Sequence, residues 1–217
     1  MKVSANALRS VAIAALLCSL LAGCSAIPRD YAVQEGDILF QPLPHGGLVD
    51  AIEGVSLSIY SHCGIVVRDG GEWYVLEAIG PVRTTRLGEW IRRGRGGYFD
   101  AYRLDTALQP KIPAILAIGR TYLGRPYDKH YDFDDERIYC SELVFKAVRT
   151  ATGVSLGKVE RLGDLNWQPH EAFIRSIEGY VPKNREMITP RSLSEAKELT
   201  LVYTMDPKAK VRAAERQ

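Results

Sequence analysis

The sequence predicts one α+β domain, an antiparallel sheet packed with helices, and three observations carry that reading. A glycine pair, Gly70-Gly71, joins two runs rich in β-branched and aromatic residues, His62 to Arg68 and Trp73 to Ile79, as a hairpin. Leu143, Val144, Ala147 and Val148 recur at the i, i+1, i+4, i+5 spacing of one buried helical face. No internal repeat, low-complexity block or second apolar core interrupts the 217 residues, of which 46% are hydrophobic and 25% charged, the composition of an ordinary folded domain.

Taken in order, the chain begins with Lys2 and Arg9, an apolar run from Val11 to Ala22, and the ending Leu21-Ala22-Gly23-Cys24. A charged start, an apolar centre of this length and small residues before a cysteine predict an export signal over residues 1–23, too short to span a bilayer as a mature helix. The ending resembles the bacterial lipobox. That resemblance implies that Cys24 is acylated, becomes the first mature residue and anchors the protein in a membrane, and Ser25 behind it implies the outer membrane, facing the periplasm. A plain secretory signal with an incidental cysteine is the alternative. Loss of residues 1–23 removes two basic and no acidic residues, leaving 26 of each sign. No basic excess then remains to attract nucleic acid.

Residues 24–34 read as a short lipidated tether, residues 35–206 as the folded domain, and residues 207–217, with Lys208, Lys210, Arg212 and Arg216, as a disordered basic tail. Within the domain, Gly36 to Phe40 is a turn feeding a strand, and a short helix runs through Leu48, Val49, Ile52 and Val55. After the hairpin come an arginine-rich connection, a helical pattern at Leu87, Trp90 and Ile91, and a strand from Tyr98 to Leu104. Pro113 opens a helix through Tyr122 that stops near Gly124. An acidic loop then leads to Cys140 and its helix, which breaks at Thr152-Gly153. Residues 157–195 are loop-like apart from a helix at His170 to Ile177, and Glu198 to Thr204 is a last strand.

Cys140 stands directly ahead of its amphipathic helix, where unpaired N–H groups and the positive end of the dipole favour a thiolate, the nucleophilic form. Free cysteine is also among the most buried residue types, so a small core hydrophobe is an equal reading of this segment alone. Of the other cysteines, Cys18 leaves with the signal and Cys24 takes the lipid. A Cys63–Cys140 disulfide, permitted in an oxidising periplasm, competes with a catalytic Cys140.

A cysteine nucleophile needs a base, and the base needs a group to fix its tautomer. Among His45, His62, His130 and His170, only His62 begins a predicted strand. With the hairpin centred on Gly70-Gly71, paired residues sum to 141, so Gly64 faces Glu77, and Glu77 shares a face with His62 as a diagonal neighbour within side-chain reach. A carboxylate on that largely apolar face calls for a partner such as a histidine N–H. The same parity turns Cys63 into the core and away from His62, which weakens both a Cys63 nucleophile and the bridge to Cys140.

Gly36-Asp37-Ile38-Leu39, Ser61-His62-Cys63-Gly64-Ile65-Val66, Glu77-Ala78, Gly124-Arg125-Pro126-Tyr127-Asp128 and Tyr139-Cys140-Ser141-Glu142-Leu143-Val144 resemble, in this order, the motifs of the YiiX/YaeF-like lipoproteins, circularly permuted relatives of the NlpC-type papain-like cysteine hydrolases. The resemblance covers most of residues 34 to 204 and implies a papain-like single domain. It implies Cys140 as nucleophile, His62 as general base and acid, Glu77 as the group orienting His62, and Tyr127 as a hydrogen-bonding neighbour of the site. Backbone groups at the helix start, Ser141 among them, would support the oxyanion. Cys63 departs from the aliphatic residue expected at its position.

The function implied is an envelope thiol hydrolase cutting an amide in peptidoglycan peptide or a protein joined to it, with no cofactor. A lipid acyl hydrolase or acyltransferase of the same wider group is the alternative; an apolar groove beside Cys140 would favour it, and a polar, acid-lined cleft would favour peptide. A non-catalytic envelope-binding lipoprotein is the third reading. Asp128, Asp132, Asp134, Asp135 and Glu136 crowd the approach to Cys140 and would raise its pKa, so they are expected to point outward. Their spacing lacks the glycine and terminal glutamate of a Ca²⁺ loop, and no metal site is expected. Arg83, Arg86, Arg92, Arg93 and Arg95 read equally as a solvated face or as a binder of an anionic polymer or lipid headgroup.

Overall fold

A computed structural model of the chain describes residues 27–209. The predicted export signal, Cys24 and residues 210–217 of the predicted tail lie outside the described residues. Six strands form one antiparallel sheet in the order β4-β3-β2-β1-β5-β8: β1 (Ile38–Gln41), β2 (His62–Asp69), β3 (Glu72–Ala78), β4 (Val82–Arg86), β5 (Asp100–Leu104) and β8 (Leu199–Thr204). A separate two-stranded ribbon pairs β6 (Glu160–Arg161) with β7 (Glu186–Met187). The helices are α1 (Gly47–Ser56), α2 (Leu87–Arg93), α3 (Ile112–Arg120), α4 (Cys140–Thr152), α5 (Glu171–Glu178) and α6 (Pro190–Ser194).

The β2–β3 pairing has the expected register, with Ile65 opposite Leu76 and Val66 opposite Val75. Gly70 and Gly71 have φ of 54° and 87°, the left-handed conformations that a two-residue hairpin turn with the right twist requires. Because side chains alternate along a strand, the two faces of the sheet carry different cores. Ile38, Phe40, Cys63, Ile65, Leu76 and Ala78 pack with Ile115 and Leu116 of α3 and with Leu143, Val144, Ala147 and Val148 of α4. Leu39, Val66 and Val75 pack on the opposite face with Leu87, Trp90 and Ile91 of α2 and with Phe99. His62 and Glu77 belong by parity to this second face, and Cys140 belongs to the first. The site therefore forms where β2 begins, at the end of the sheet that both faces share.

Four differences from the sequence-based expectations have physical causes. Half of the predicted tether is docked: the Tyr31 ring lies 5.5 Å from Phe99 and 5.2 Å from Tyr203, and its hydroxyl donates to Asp37 at 2.8 Å. Strand β4 falls in a segment that reads as connection because Val-Arg-Thr-Thr-Arg has a single aliphatic residue, yet Val82 and Thr85 turn inward while their neighbours are exposed. Residues 157–195 also hold β6, β7 and α6, pieces of two to five residues, too short to show a period. Asp128, expected outward, is buried, because its carboxylate is consumed by backbone donors of its own loop.

Candidate active site

Cys140 is the first residue of the 13-residue helix α4 and is 1% exposed. The helix start is strapped in place. The Tyr139 N–H donates to Glu142 at 3.3 Å, the Tyr139 hydroxyl accepts the Ile188 N–H at 3.1 Å, and the Ser141 hydroxyl donates to the Ile188 carbonyl at 2.7 Å. The Ser141 side chain is thus occupied in fixing the helix, and only its backbone N–H is left to face a reacting group. Glu142, buried beside these residues, is pushed up to about 7 by burial, against the opposing pull of Lys146 at 2.8 Å.

His62 opens β2 and is 2% exposed, and Glu77 of β3 is fully buried. The His62 Nε2–H donates to Glu77 Oε2 at 2.6 Å, so Nδ1 is the nitrogen left for the Cys140 sulfur, to which His62 also hydrogen-bonds. Gly64 makes room for this pair: a β-carbon there would stand 2.5 Å from Val75 Cγ1 and 3.3 Å from Glu77 Cβ. The His62 ring lies on Trp90, with centroids 6.0 Å apart and planes 33° apart. Glu77 takes two further partners, Thr85 Oγ1 at 2.6 Å and Arg93 Nη2, which bridges both carboxylate oxygens at 2.6 and 2.9 Å.

These contacts set the electrostatics. Burial alone would raise Glu77, but the bonds from His62, Arg93 and Thr85 outweigh it and bring its pKa down to about 2. Burial would lower His62, and the hydrogen bonds to Cys140 and Glu77 instead lift it to about 9. The Cys140 thiol is held well below its ordinary range, first by a hydrogen bond from the Cys63 thiol, against burial, and then by His62 and the Cys63 backbone N–H. The arrangement favours a Cys140 thiolate beside a His62 imidazolium.

Cys63 is in the core, as its parity predicts, but that face is the one α4 covers, so it lies beside Cys140 rather than apart from it. Both cysteines are free thiols. Burial and the neighbouring Cys140 push the Cys63 thiol up, so it stays protonated and donates.

A cleft of about 200 Å³ reaches the site; His62, Ser61, Ala78 and Tyr127 line it, with Leu48 and Ile52 of α1. Leu48 and Ile52 also wall a second, mostly apolar cavity of about 90 Å³ bounded by Tyr131, Phe173, Ile174 and Ile188. Tyr127 of the cleft and Tyr131 of the cavity hydrogen-bond through their hydroxyls, 3.2 Å apart. Tyr131 has φ of 58°, a conformation costly for a bulky side chain. The loop holds it there: the Asp128 carboxylate accepts the N–H groups of His130 at 2.9 Å and Asp132 at 2.5 Å, on either side of Tyr131.

Comparison with known proteins gives the chain a family. Residues 32–203 match the model of the permuted papain-like amidases, the YaeF/YiiX or C92 family. The chain belongs to that family. It is 32% identical over 191 residues to the uncharacterized protein YiiX of Escherichia coli K12, covering 86% of this chain and 93% of that protein. The crystal structure of metalloprotein YiiX from Escherichia coli O157:H7 superposes with a TM-score of 0.74 at 31% identity, covering 82% of this chain and all of that one.

Within this member of the family, the structure brings together Cys140, His62, Glu77 and Tyr127. His45, His130 and His170 are elsewhere: His45 bonds Asp50, His130 bonds Glu178, and His170 lies against Gly54. Thr85, Arg93, Trp90 and Tyr131 are not singled out as site residues by the sequence. Thr85 and Arg93 sit on segments that read as connection or basic face, and only the register of β4 against β3 and the docking of α2 aim them at Glu77. A tyrosine in an acid-rich loop carries no periodic signal at all.

Proposed function

We propose that this protein is a cell-envelope thiol amidase that works through an acyl-enzyme on Cys140. The observation that carries the reading is the buried chain of contacts from Cys140 to His62 to Glu77, with the last bond at 2.6 Å. In the proposed reaction the Cys140 thiolate attacks the amide carbonyl carbon, forming a C–S bond as the carbonyl electron pair moves onto oxygen. The N–H groups at the start of α4 stabilise that oxyanion. Collapse breaks the C–N bond, and His62 passes its Nδ1 proton to the leaving nitrogen. His62, now neutral, takes a proton from water, the hydroxide attacks the thioester, and the Cys140 thiolate departs, restoring the ion pair. Glu77 keeps the Nε2 proton in place throughout.

Peptidoglycan peptide, or a protein joined to it, is the substrate suggested by an amidase fold on a chain whose start resembles a lipobox. Such a protein would hang by Cys24 from the outer membrane into the periplasm. The apolar second cavity favours a second reading, a lipid or other acyl substrate whose chain lies across Leu48 and Ile52. Incubating the protein and C140A with muropeptides and with phospholipids tests both: product release that depends on Cys140 is expected from one set. No release from either, with no alkylation of Cys140 by iodoacetamide, would overturn the enzyme reading.

The related YiiX structure is described as a metalloprotein. Among the described residues, His45, Asp50 and Glu53 bring three ligand atoms within 4.8 Å of one another. Arg95 already spans this group, with Nη2 3.0 Å from Glu53 Oε2 and Nη1 3.1 Å from His45 Nε2. A guanidinium in that position repels a metal cation, so the residues do not fit a metal, and no step of the reaction runs through one.

A further inference from the structure

Arg93 ends α2 and, unlike the exposed Arg83, Arg86 and Arg92, turns inward, where its Nη2 bridges both oxygens of Glu77. The titratable groups around Glu77 come from three elements: His62 and, across the sheet, Cys63 from β2, Arg93 from α2, and Cys140 through His62 from α4; Thr85 of β4 adds a neutral donor. Arg83, the cross-strand partner of Glu77, stays exposed. Cys63 keeps its proton. With Cys140 as thiolate and His62 protonated, Cys140, His62, Glu77 and Arg93 sum to zero charge. Three of the four are no more than 2% exposed, so an unbalanced charge there is costly.

The balance also holds through the reaction. In the acyl-enzyme the thiolate charge is gone and His62 is neutral, and Glu77 and Arg93 remain as a matched pair. Without Arg93 the resting site would carry a net negative charge, relieved most simply by a proton on the thiolate or on Glu77. A protonated Glu77 no longer holds the His62 Nε2–H in one orientation.

We infer that Arg93 is a positioning residue that acts through Glu77, holding the carboxylate ionised and aimed at His62 while His62 alternates between its charged and neutral forms. The inference rests on the Cys140–His62–Glu77 reading of the site. At 23% side-chain exposure Arg93 sits at the margin of the core.

The test is the pH dependence of Cys140 alkylation by iodoacetamide in the full-length protein, located by peptide mass spectrometry, for wild type, R93K, R93Q and T85V. R93Q is expected to move the acid limb upward by about one pH unit, the effect of one charge acting across a partly screened site. R93K keeps the charge but not the bridging nitrogen, and is expected to move the limb by a few tenths of a unit. T85V removes one of the hydrogen bonds that hold Glu77 down but no charge, and is expected to move the limb by less than R93Q does. A purely structural role would lower thermal stability in R93Q and leave the limb unmoved, and that result overturns the inference. So does an R93K limb displaced by about a full pH unit although the charge is kept, which decides the matter if R93Q does not fold. Absence of Cys140 alkylation in wild type at every pH would instead overturn the nucleophile reading, and the inference with it.

Discussion

Replacing Glu77 by glutamine keeps the shape of a fully buried side chain and removes its charge, and the hydrogen bonds around the carboxylate determine the cost. Glu77 accepts from Thr85 and Arg93 at Oε1, both at 2.6 Å, and from His62 and Arg93 at Oε2, at 2.6 and 2.9 Å. An amide can present its oxygen to only one of these sides. If it serves Thr85 and Arg93, its NH₂ faces His62 Nε2, which must then accept, and the ring proton moves to Nδ1, the nitrogen that serves Cys140. A base in the wrong tautomer costs a triad on the order of 10⁴ in kcat, about 5 kcal/mol at the transition state. The fold loses charge-assisted hydrogen bonds and leaves the partly exposed Arg93 without its anion. Discounting for solvent at Arg93, that is roughly 2–3 kcal/mol, or about 4–12 °C in Tm for a domain of this size. The stability difference also has a sign in pH. Glu77 is depressed to about 2, so its contribution is present above the ordinary carboxylate range and lost as pH falls through about 2. Thermal unfolding of E77Q and wild type is thus expected to converge in acid. Near-wild-type turnover in E77Q, or a stability difference that does not change between neutral pH and strong acid, would refute this account of Glu77.

Three further outcomes are expected. His62 is raised to about 9, so the stability it contributes is complete below its ordinary value of 6.5 and is lost as pH rises through about 9; the Tm difference between wild type and H62Q should shrink over that window, and turnover should fall over it. Asp128→Asn sets an amide NH₂ against the N–H of His130 or Asp132, costing about 1–3 kcal/mol and releasing the strained Tyr131; faster hydrogen exchange over residues 129–137 with lower kcat would show it. Leu57 is 72% exposed with φ of 52° at the end of α1. Leu57→Gly relieves that strain and is expected to stabilise the protein by about 0.5–1 kcal/mol in urea unfolding, with Cys140 alkylation unchanged.

Much of the central geometry is legible before folding is considered. The Gly70-Gly71 turn fixes the β2–β3 register by local backbone chemistry, and register alone places Glu77 on the face of His62. The helical period after Cys140 likewise fixes the thiol at a helix start, because which side of a helix is apolar is written within a dozen residues. Tyr127 is reached through the resemblance of its Gly-Arg-Pro-Tyr segment rather than through any period.

The tertiary structure decided the rest. Parity says that Cys63 faces the core but not which helix covers that face, and the covering helix is the one that brings Cys140 to it. Five arginines between residues 83 and 95 look alike in sequence, yet only Arg93 bonds Glu77, because α2 docks on that face of the sheet. Five acids precede Cys140, and one of them, Asp128, turns inward to shape the loop that presents Tyr131. Strand register and helical faces are set by neighbours along the chain. The partner of a buried charge is set by long-range packing, which a local pattern does not encode.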